Sequence, residues 1–239
     1  MHCARFCVTK KSIAVIPARG GSKRIKNKNI REFAGKPLIT YSIAAALKSE
    51  SFDEIVVSTD SQDIAEIALA YGASNIIMRP EELANDHVGT TPVVIHSIKQ
   101  MERDLGELDY VCCIYATAPF LSEELLRKGL EALKANPQKK YAFSVTTFDF
   151  PIQRALRMEK NGVEPLDRSM MIKRSQDLEE CYHDAGQFYW GTKKAWIEGA
   201  GVFCPHSLPV ILPRYLVQDI DTEEDWVRAE LMYKAYVAS

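Results

Sequence analysis

Apolar positions in the first half of the chain fall into two alternating periods. Ile13-Ala14-Val15-Ile16 is a short, continuous β-branched run, the pattern of a strand buried on both faces. Glu54–Thr59, Asn75–Met78 and Tyr110–Tyr115 repeat it. Between them the spacing shifts to the three-and-four step of a helix. Pro37 to Leu47 reads as a helix with proline near its first turn, and Ile64, Ile67, Ala68 and Tyr71 share one face of a helix that stops at Gly72. Helices from about Thr91 to Leu105 and over Ser122–Ala135 continue the series. Strands alternating with helices in this way predict right-handed βαβ units, hence a three-layer α/β fold around a mostly parallel sheet.

After Lys140 the texture changes. Tyr141–Phe148 and Arg154–Glu159 read as strands, and Asn161-Gly162 marks a hairpin turn between Met158 and Val163. The charged stretch Asp167–Glu180 has no clear period. Gln187–Trp190 and Val210–Leu212 return to strand texture, and a last helix carries Trp226, Ala229, Tyr233 and Tyr236. The expectation is one domain over residues 12–239, with 140–182 as a hairpin-bearing insertion.

Composition narrows the function classes. Lys and Arg total 30 against 32 Asp and Glu, a net charge of −2 that disfavours a general nucleic-acid binder. No apolar run approaches the ~20 residues of a membrane span, and Met1–Lys11 lacks the apolar core of a signal peptide. Cys3, Cys7, Cys112, Cys113, Cys181 and Cys204 form no CxxC pair, which fits reduced thiols in a cytoplasmic protein and no zinc site.

The densest chemistry follows the first strand. From Arg19 to Arg31 the chain holds six basic residues (Arg19, Lys23, Arg24, Lys26, Lys28, Arg31) and no acid, beside Gly20-Gly21. Adjacent glycines let the backbone approach a ligand and aim amide N–H groups at it, and the loop lies where open parallel sheets bind ligands. Such a loop suits a triphosphate. It matches neither GxGxxG nor the P-loop, which sets aside a dinucleotide-binding dehydrogenase and a P-loop ATPase. Asp219 and Asp221 are the second feature: carboxylates two apart on an extended chain face one side and can share a hard cation. Asp221-Thr222-Glu223-Glu224 also reads as a capping sequence for the last helix, with Asp or Thr as the cap.

Ile16-Pro17-Ala18-Arg19-Gly20-Gly21-Ser22-Lys23 with Lys28-Asn29, then Ser58-Thr59-Asp60, Arg79-Pro80-Glu81-Glu82-Leu83-Ala84-Asn85-Asp86 and Gln218-Asp219-Ile220-Asp221-Thr222, resemble the cytidylyltransferases that make CMP-sialic acids. Arg174 to Glu180 and Tyr182 to Gly191 look more like the branch acting on pseudaminic acid than like the neuraminate enzymes. The resemblance implies a Rossmann-like nucleotidyltransferase fold, transfer of CMP from CTP to a nine-carbon 2-keto acid sugar, Mg²⁺, and a homodimer whose protruding 140–182 arm reaches the partner's site. It assigns Arg19, Gly20, Gly21, Ser22 and Lys23 to the triphosphate loop, Lys28 to charge building on the leaving group, and Asn29, Arg79 and Thr90 to the nucleotide. Asp219 and Asp221 would hold the metal, with Asp221 also a candidate for deprotonating the attacking hydroxyl.

For the sugar, Arg174, Gln176 and Gln187 are candidates, with Tyr189 as a wall. Tyr115 stands where neuraminate enzymes carry a sugar-contacting glutamine, which argues for a different nonulosonic acid; the Kdo enzymes fit the first loop less well. His183 beside Asp184 invites a general-base role, and plainer readings stand beside it, Thr90 and Arg174. Thr90 can cap the following helix, Arg174 can pair with Asp177 or Glu180 on the surface, and His183 beside Asp184 cannot point the same way on a strand. His96 reads as packed or surface. A nucleotide-binding protein without transferase activity is the rival of another class.

Overall fold

The computed structural model describes residues 10–85 and 88–238. In chain order the strands are β1 (Ser12–Pro17), β2 (Glu32–Phe33), β3 (Lys36–Pro37), β4 (Glu54–Thr59), β5 (Asn75–Met78), β6 (Tyr110–Ile114), β7 (Tyr141–Thr147), β8 (Leu156–Glu159), β9 (Gly162–Pro165), β10 (Tyr182–Thr192) and β11 (Ser207–Ile211). The helices are α1 (Ile39–Ser49), α2 (Gln62–Ala70), α3 (Thr90–Leu105), α4 (Glu123–Ala135), α5 (Lys193–Ile197) and α6 (Glu223–Val237). Seven strands form the central sheet in the order β11-β7-β10-β6-β1-β4-β5, with β10 antiparallel to both its neighbours and the other pairs parallel.

The three layers follow from strand alternation. Ala14 and Ile16 of β1 pack with residues of α1, α2 and α4, whereas Ile13 and Val15 face the layer of α3 and α5. Each fully buried isoleucine or valine among these contributes on the order of 1.5–3 kcal/mol. A third, smaller cluster joins Ile25, Phe33, Leu38, Phe120, Ile220, Trp226 and Ala229. It ties the basic loop to the chain around Ile220 and to α6.

Several boundaries differ from the sequence pattern. Pro37 stands in β3, and α1 begins at Ile39. β2 and β3 form a small hairpin whose turn places Ala34 at φ 47° and Gly35 at φ 91°, a pairing too short to leave a period. Arg154 belongs to a short 3₁₀ turn, and the β8–β9 hairpin begins at Leu156, with Met158 paired to Val163. Strand β10 runs well before Gln187, interrupted by an irregularity between Asp184 and Tyr189 where Gly186 takes φ 62°. Among the described residues Cys112, Cys113, Cys181 and Cys204 are free, the first two buried; Cys3, Cys7 and Asp86 lie outside the described residues. No helix among the described residues is long and apolar enough to cross a membrane.

Candidate active site

The loops leaving the carboxyl ends of β1, β5 and β6 converge on one cavity of about 670 Å³, lined by Arg19, Ser22, Lys23, Arg24, Lys28, Asn29, Arg79, Thr90, Tyr115, Asp219 and Asp221 among others. Eleven residues from distant parts of the sequence thus meet where a parallel sheet binds ligands. The basic loop supplies one wall and the two aspartates face it.

Hydrophobic anchoring explains that opposition. Ile25 in the loop and Ile220 between the aspartates are both fully buried in the same cluster. With Ile220 turned inward, its neighbours Asp219 and Asp221 turn outward to the cavity. Asp219 lines the cavity, and desolvation there together with the adjacent Asp221 charge raises its pKa. Asp221 is held by two cations: Lys28 Nζ at 3.1 Å and Arg24 Nη1 at 2.9 Å. Lys28 also donates to the Ile220 carbonyl at 2.7 Å. Helix α6 is capped by Thr222, whose hydroxyl accepts from the Asp225 amide while the Asp225 carboxylate reaches back to the Thr222 amide. The cap is therefore Thr222, and the Asp221 carboxylate remains directed at the cavity.

The phosphate-type loop is held from below. The Gly20 amide donates to Asp60 Oδ1 at 2.7 Å, and the Ser22 amide to the Gly20 carbonyl at 2.9 Å. The expectation that the Gly20 amide points at a ligand is corrected: Asp60 takes it. Asn29 is buried and donates to the Arg19 carbonyl at 3.0 Å, while its own carbonyl accepts from Ile39 at the start of α1. Arg79 reaches the end of β4, donating to Ser58 Oγ at 3.1 Å and to the Ser58 carbonyl at 2.6 Å. Burial lowers its pKa. Thr90 is the first residue of α3 behind a Gly89 cap, so its side chain does not serve as the cap; its hydroxyl lies 3.4 Å from that of Tyr115.

Comparisons with known proteins fit this arrangement. The family model described as "Cytidylyltransferase" matches residues 13–194. A pseudaminic acid cytidylyltransferase of Campylobacter jejuni is 48% identical over 94% of this chain and 97% of its own length. The chain belongs to the cytidylyltransferase family. It is accordingly a nucleotidyltransferase. A CMP-N,N'-diacetyllegionaminic acid synthase of Legionella pneumophila is 36% identical over 91% of this chain and 94% of its own length. A solved CMP:2-keto-3-deoxy-manno-octonic acid synthetase, complexed with CTP, shares the fold with a TM-score of 0.69 at 16% identity, covering 95% of this chain and all of that one.

The remaining candidates of this cytidylyltransferase are scattered differently. Arg174 is exposed and pairs with Asp177 through two bonds of 2.8 and 3.2 Å, the plainer reading. Gln176 lies in the adjoining 3₁₀ turn, away from the cavity. Gln187 is buried; its Nε2 donates to the Leu216 carbonyl at 2.6 Å and its Oε1 has no protein partner. Tyr189 is buried behind Tyr115, their ring centroids 5.3 Å apart. His183 turns to the Asp184 backbone carbonyl and packs edge-on to Phe148, and half-buried His96 lies on α3 near Gln100.

Sequence reasoning gave no role to Asp60 or Arg24, although Asp60 sits in a quoted motif and Arg24 in the basic run. Among the described residues no three His, Cys, Asp or Glu side chains cluster as a metal cage. Two cavity-facing aspartates with room for phosphate oxygens and water nonetheless fit a divalent cation, since Mg²⁺ is ordinarily held by one or two carboxylates.

Proposed function

We propose that this protein transfers CMP from CTP to a nonulosonic acid, with pseudaminic acid as the acceptor, releasing pyrophosphate. The observation that carries the reading is the opposition of the basic loop to Asp219 and Asp221 across one cavity, in a chain 48% identical to a pseudaminic acid cytidylyltransferase. Mg²⁺ is the cation proposed for Asp219 and Asp221, where it would offset triphosphate charge. Arg19, Gly21, Ser22 and Lys23 hold the triphosphate; Asn29, Arg79 and Thr90 hold the nucleoside. Lys28 neutralises charge growing on the leaving pyrophosphate. The anomeric hydroxyl of the acceptor attacks the α-phosphorus in line with the leaving group, and the Asp221 carboxylate takes its proton once the triphosphate has drawn Arg24 away. Tyr115 and Tyr189 form the acceptor's wall.

The expected arm over 140–182 begins with the core strand β7 and ends at the first residue of β10, so in this reading residues 148–181 serve as the arm of a homodimer. Leu156, Met158, Val163, Leu166 and Ile172 are exposed there, an apolar surface suited to a second copy, and Arg174 and Gln176 would then serve the partner's site. The test is pyrophosphate release from CTP and Mg²⁺ with pseudaminic, N-acetylneuraminic and Kdo acceptors offered separately. Strong preference for pseudaminic acid is expected. Preference for another acceptor would overturn the substrate assignment, and CTP binding without release on any acceptor would overturn transfer itself.

A further inference from the structure

The two cations that hold Asp221 differ in how firmly they are fixed. Lys28 Nζ lies 3.1 Å from Oδ1 and donates to the Ile220 carbonyl at 2.7 Å, and its side chain is only 18% exposed. Arg24 Nη1 pairs with Oδ2 at 2.9 Å, yet its side chain is 68% exposed. The next residue, Ile25, is fully buried in the cluster that also takes Ile220. The backbone beside Arg24 is therefore anchored, while the long side chain can swing. An exposed ion pair of this kind is weak, because water competes for both charges.

Arg24 lines the same cavity as Arg19, Ser22 and Lys23. A triphosphate on that wall offers several charged oxygens to a planar guanidinium, against the one oxygen that Asp221 gives it. The guanidinium is thus easily drawn across. Until it moves, it stands on the Asp221 oxygen that Lys28 leaves open. A divalent cation seeking the same oxygen would meet a positive charge a few ångströms away, and the two repel.

We infer that Arg24 and the divalent cation exclude one another at Asp221, so that a triphosphate, by drawing Arg24 to its own oxygens, opens Asp221 to the metal. This rests on the CTP and cation reading above and adds an order to it: the metal arrives with the nucleotide or after it. The test is Mn²⁺ binding, read from the electron-spin signal of the free ion, with and without CTP and with no acceptor present. The proteins compared are the unaltered chain, Arg24→Gln, Arg24→Lys and Asp219→Ala. Without CTP, Arg24→Gln should bind Mn²⁺ about three- to fivefold tighter than the unaltered protein, the scale set by a weak exposed pair. Arg24→Lys keeps the charge and should stay within twofold. With CTP the advantage of Arg24→Gln should vanish or reverse, so that CTP tightens Mn²⁺ less in this variant than in the unaltered protein. A merely structural role for Arg24 would weaken Mn²⁺ binding under both conditions, and that outcome would overturn the inference. Equal Mn²⁺ affinity of Arg24→Gln and the unaltered protein without CTP would overturn it too, as would an equal gain from CTP in both. Asp219→Ala separates the two levels. Weakened Mn²⁺ binding there with no change in Arg24→Gln removes the exclusion alone, whereas undiminished binding removes the cation reading and the exclusion with it.

Discussion

The side chain of Gln187 donates from Nε2 to the backbone carbonyl of Leu216 at 2.6 Å, joining strand β10 to the turn that leads into Asp219 and Asp221. Gln187 was expected to meet the sugar directly. Its burial and this bond give it a second use, holding the segment of Asp219 and Asp221, proposed above to carry the cation, against the sheet. Gln187→Met keeps the volume and removes the donor, leaving the Leu216 carbonyl without this partner at a cost of about 1–3 kcal/mol. The Mg²⁺ concentration for half-maximal activity should rise several-fold while kcat at saturating Mg²⁺ largely recovers. A metal titration matching the unaltered enzyme would defeat this role.

Gly20 and Gly21 should respond differently to the same change. A Cβ at Gly20 would lie 3.0 Å from Ser61 Cβ, beside the Asp60 carboxylate that holds the loop, whereas a Cβ at Gly21 meets nothing within 4 Å. Gly20→Ala is expected to raise the CTP KM roughly tenfold, the effect of about 1.4 kcal/mol lost in binding. Gly21→Ala should change it less than threefold. Asp60→Ala, which frees the Gly20 amide, should resemble Gly20→Ala. Equal effects from the two glycine variants would refute the contact argument.

The sheet and its layers were legible because buried strands and amphipathic helices leave strong periods, as at Ile13–Ile16 and around Ile64 and Ala68. The basic loop and the paired aspartates were legible because charge density and spacing survive in one dimension. Their meeting was not, since it depends on Ile25 and Ile220 sharing a cluster about 195 positions apart in sequence. The β2–β3 hairpin is too short for a period. The start of β10 was hidden because Tyr182, His183 and Asp184 alternate polar and exposed positions beyond the buried sheet. Asp60 went unassigned because its partner is a backbone amide, which no side-chain pattern records.

Lys28 bridges the two halves of the site through Asp221 and the Ile220 carbonyl, so its replacement tests chemistry and assembly together. Lys28→Ala should lower kcat/KM by about 10²–10³, the size of loss when one preorganised donor is removed from a developing charge. The melting temperature should fall only slightly, because the Ile25 and Ile220 contacts remain. Asp219→Ala should abolish turnover with the fold intact, because the Asp219 side chain lines the cavity and is no part of the core cluster beside it. Near-normal kcat/KM in Lys28→Ala, or near-normal activity of Asp219→Ala at limiting Mg²⁺, would remove the corresponding role.

The cap of α6 offers a prediction whose sign is set by pH. Hydrogen bonds from the Thr222 side chain and amide hold the Asp225 carboxyl below its ordinary pKa. A carboxylate whose pKa is lowered by folding contributes stability that is fully present above the unfolded pKa, about 3.9, and lost as pH falls through the folded value. Thr222→Ala should cost about 1 kcal/mol at neutral pH, and Asp225→Asn somewhat less. The difference in melting temperature between Asp225→Asn and the unaltered protein should stay constant from neutral pH down to about pH 5, then shrink on further acidification. Because Asp221 also donates its amide to Asp225 at 3.2 Å, loosening the cap reaches the segment proposed to hold the cation. Asp225→Asn should therefore weaken Mg²⁺ dependence modestly as well. A stability gap that widens toward low pH would contradict the sign of the linkage, and a metal titration identical to the unaltered enzyme's would separate the cap from the site.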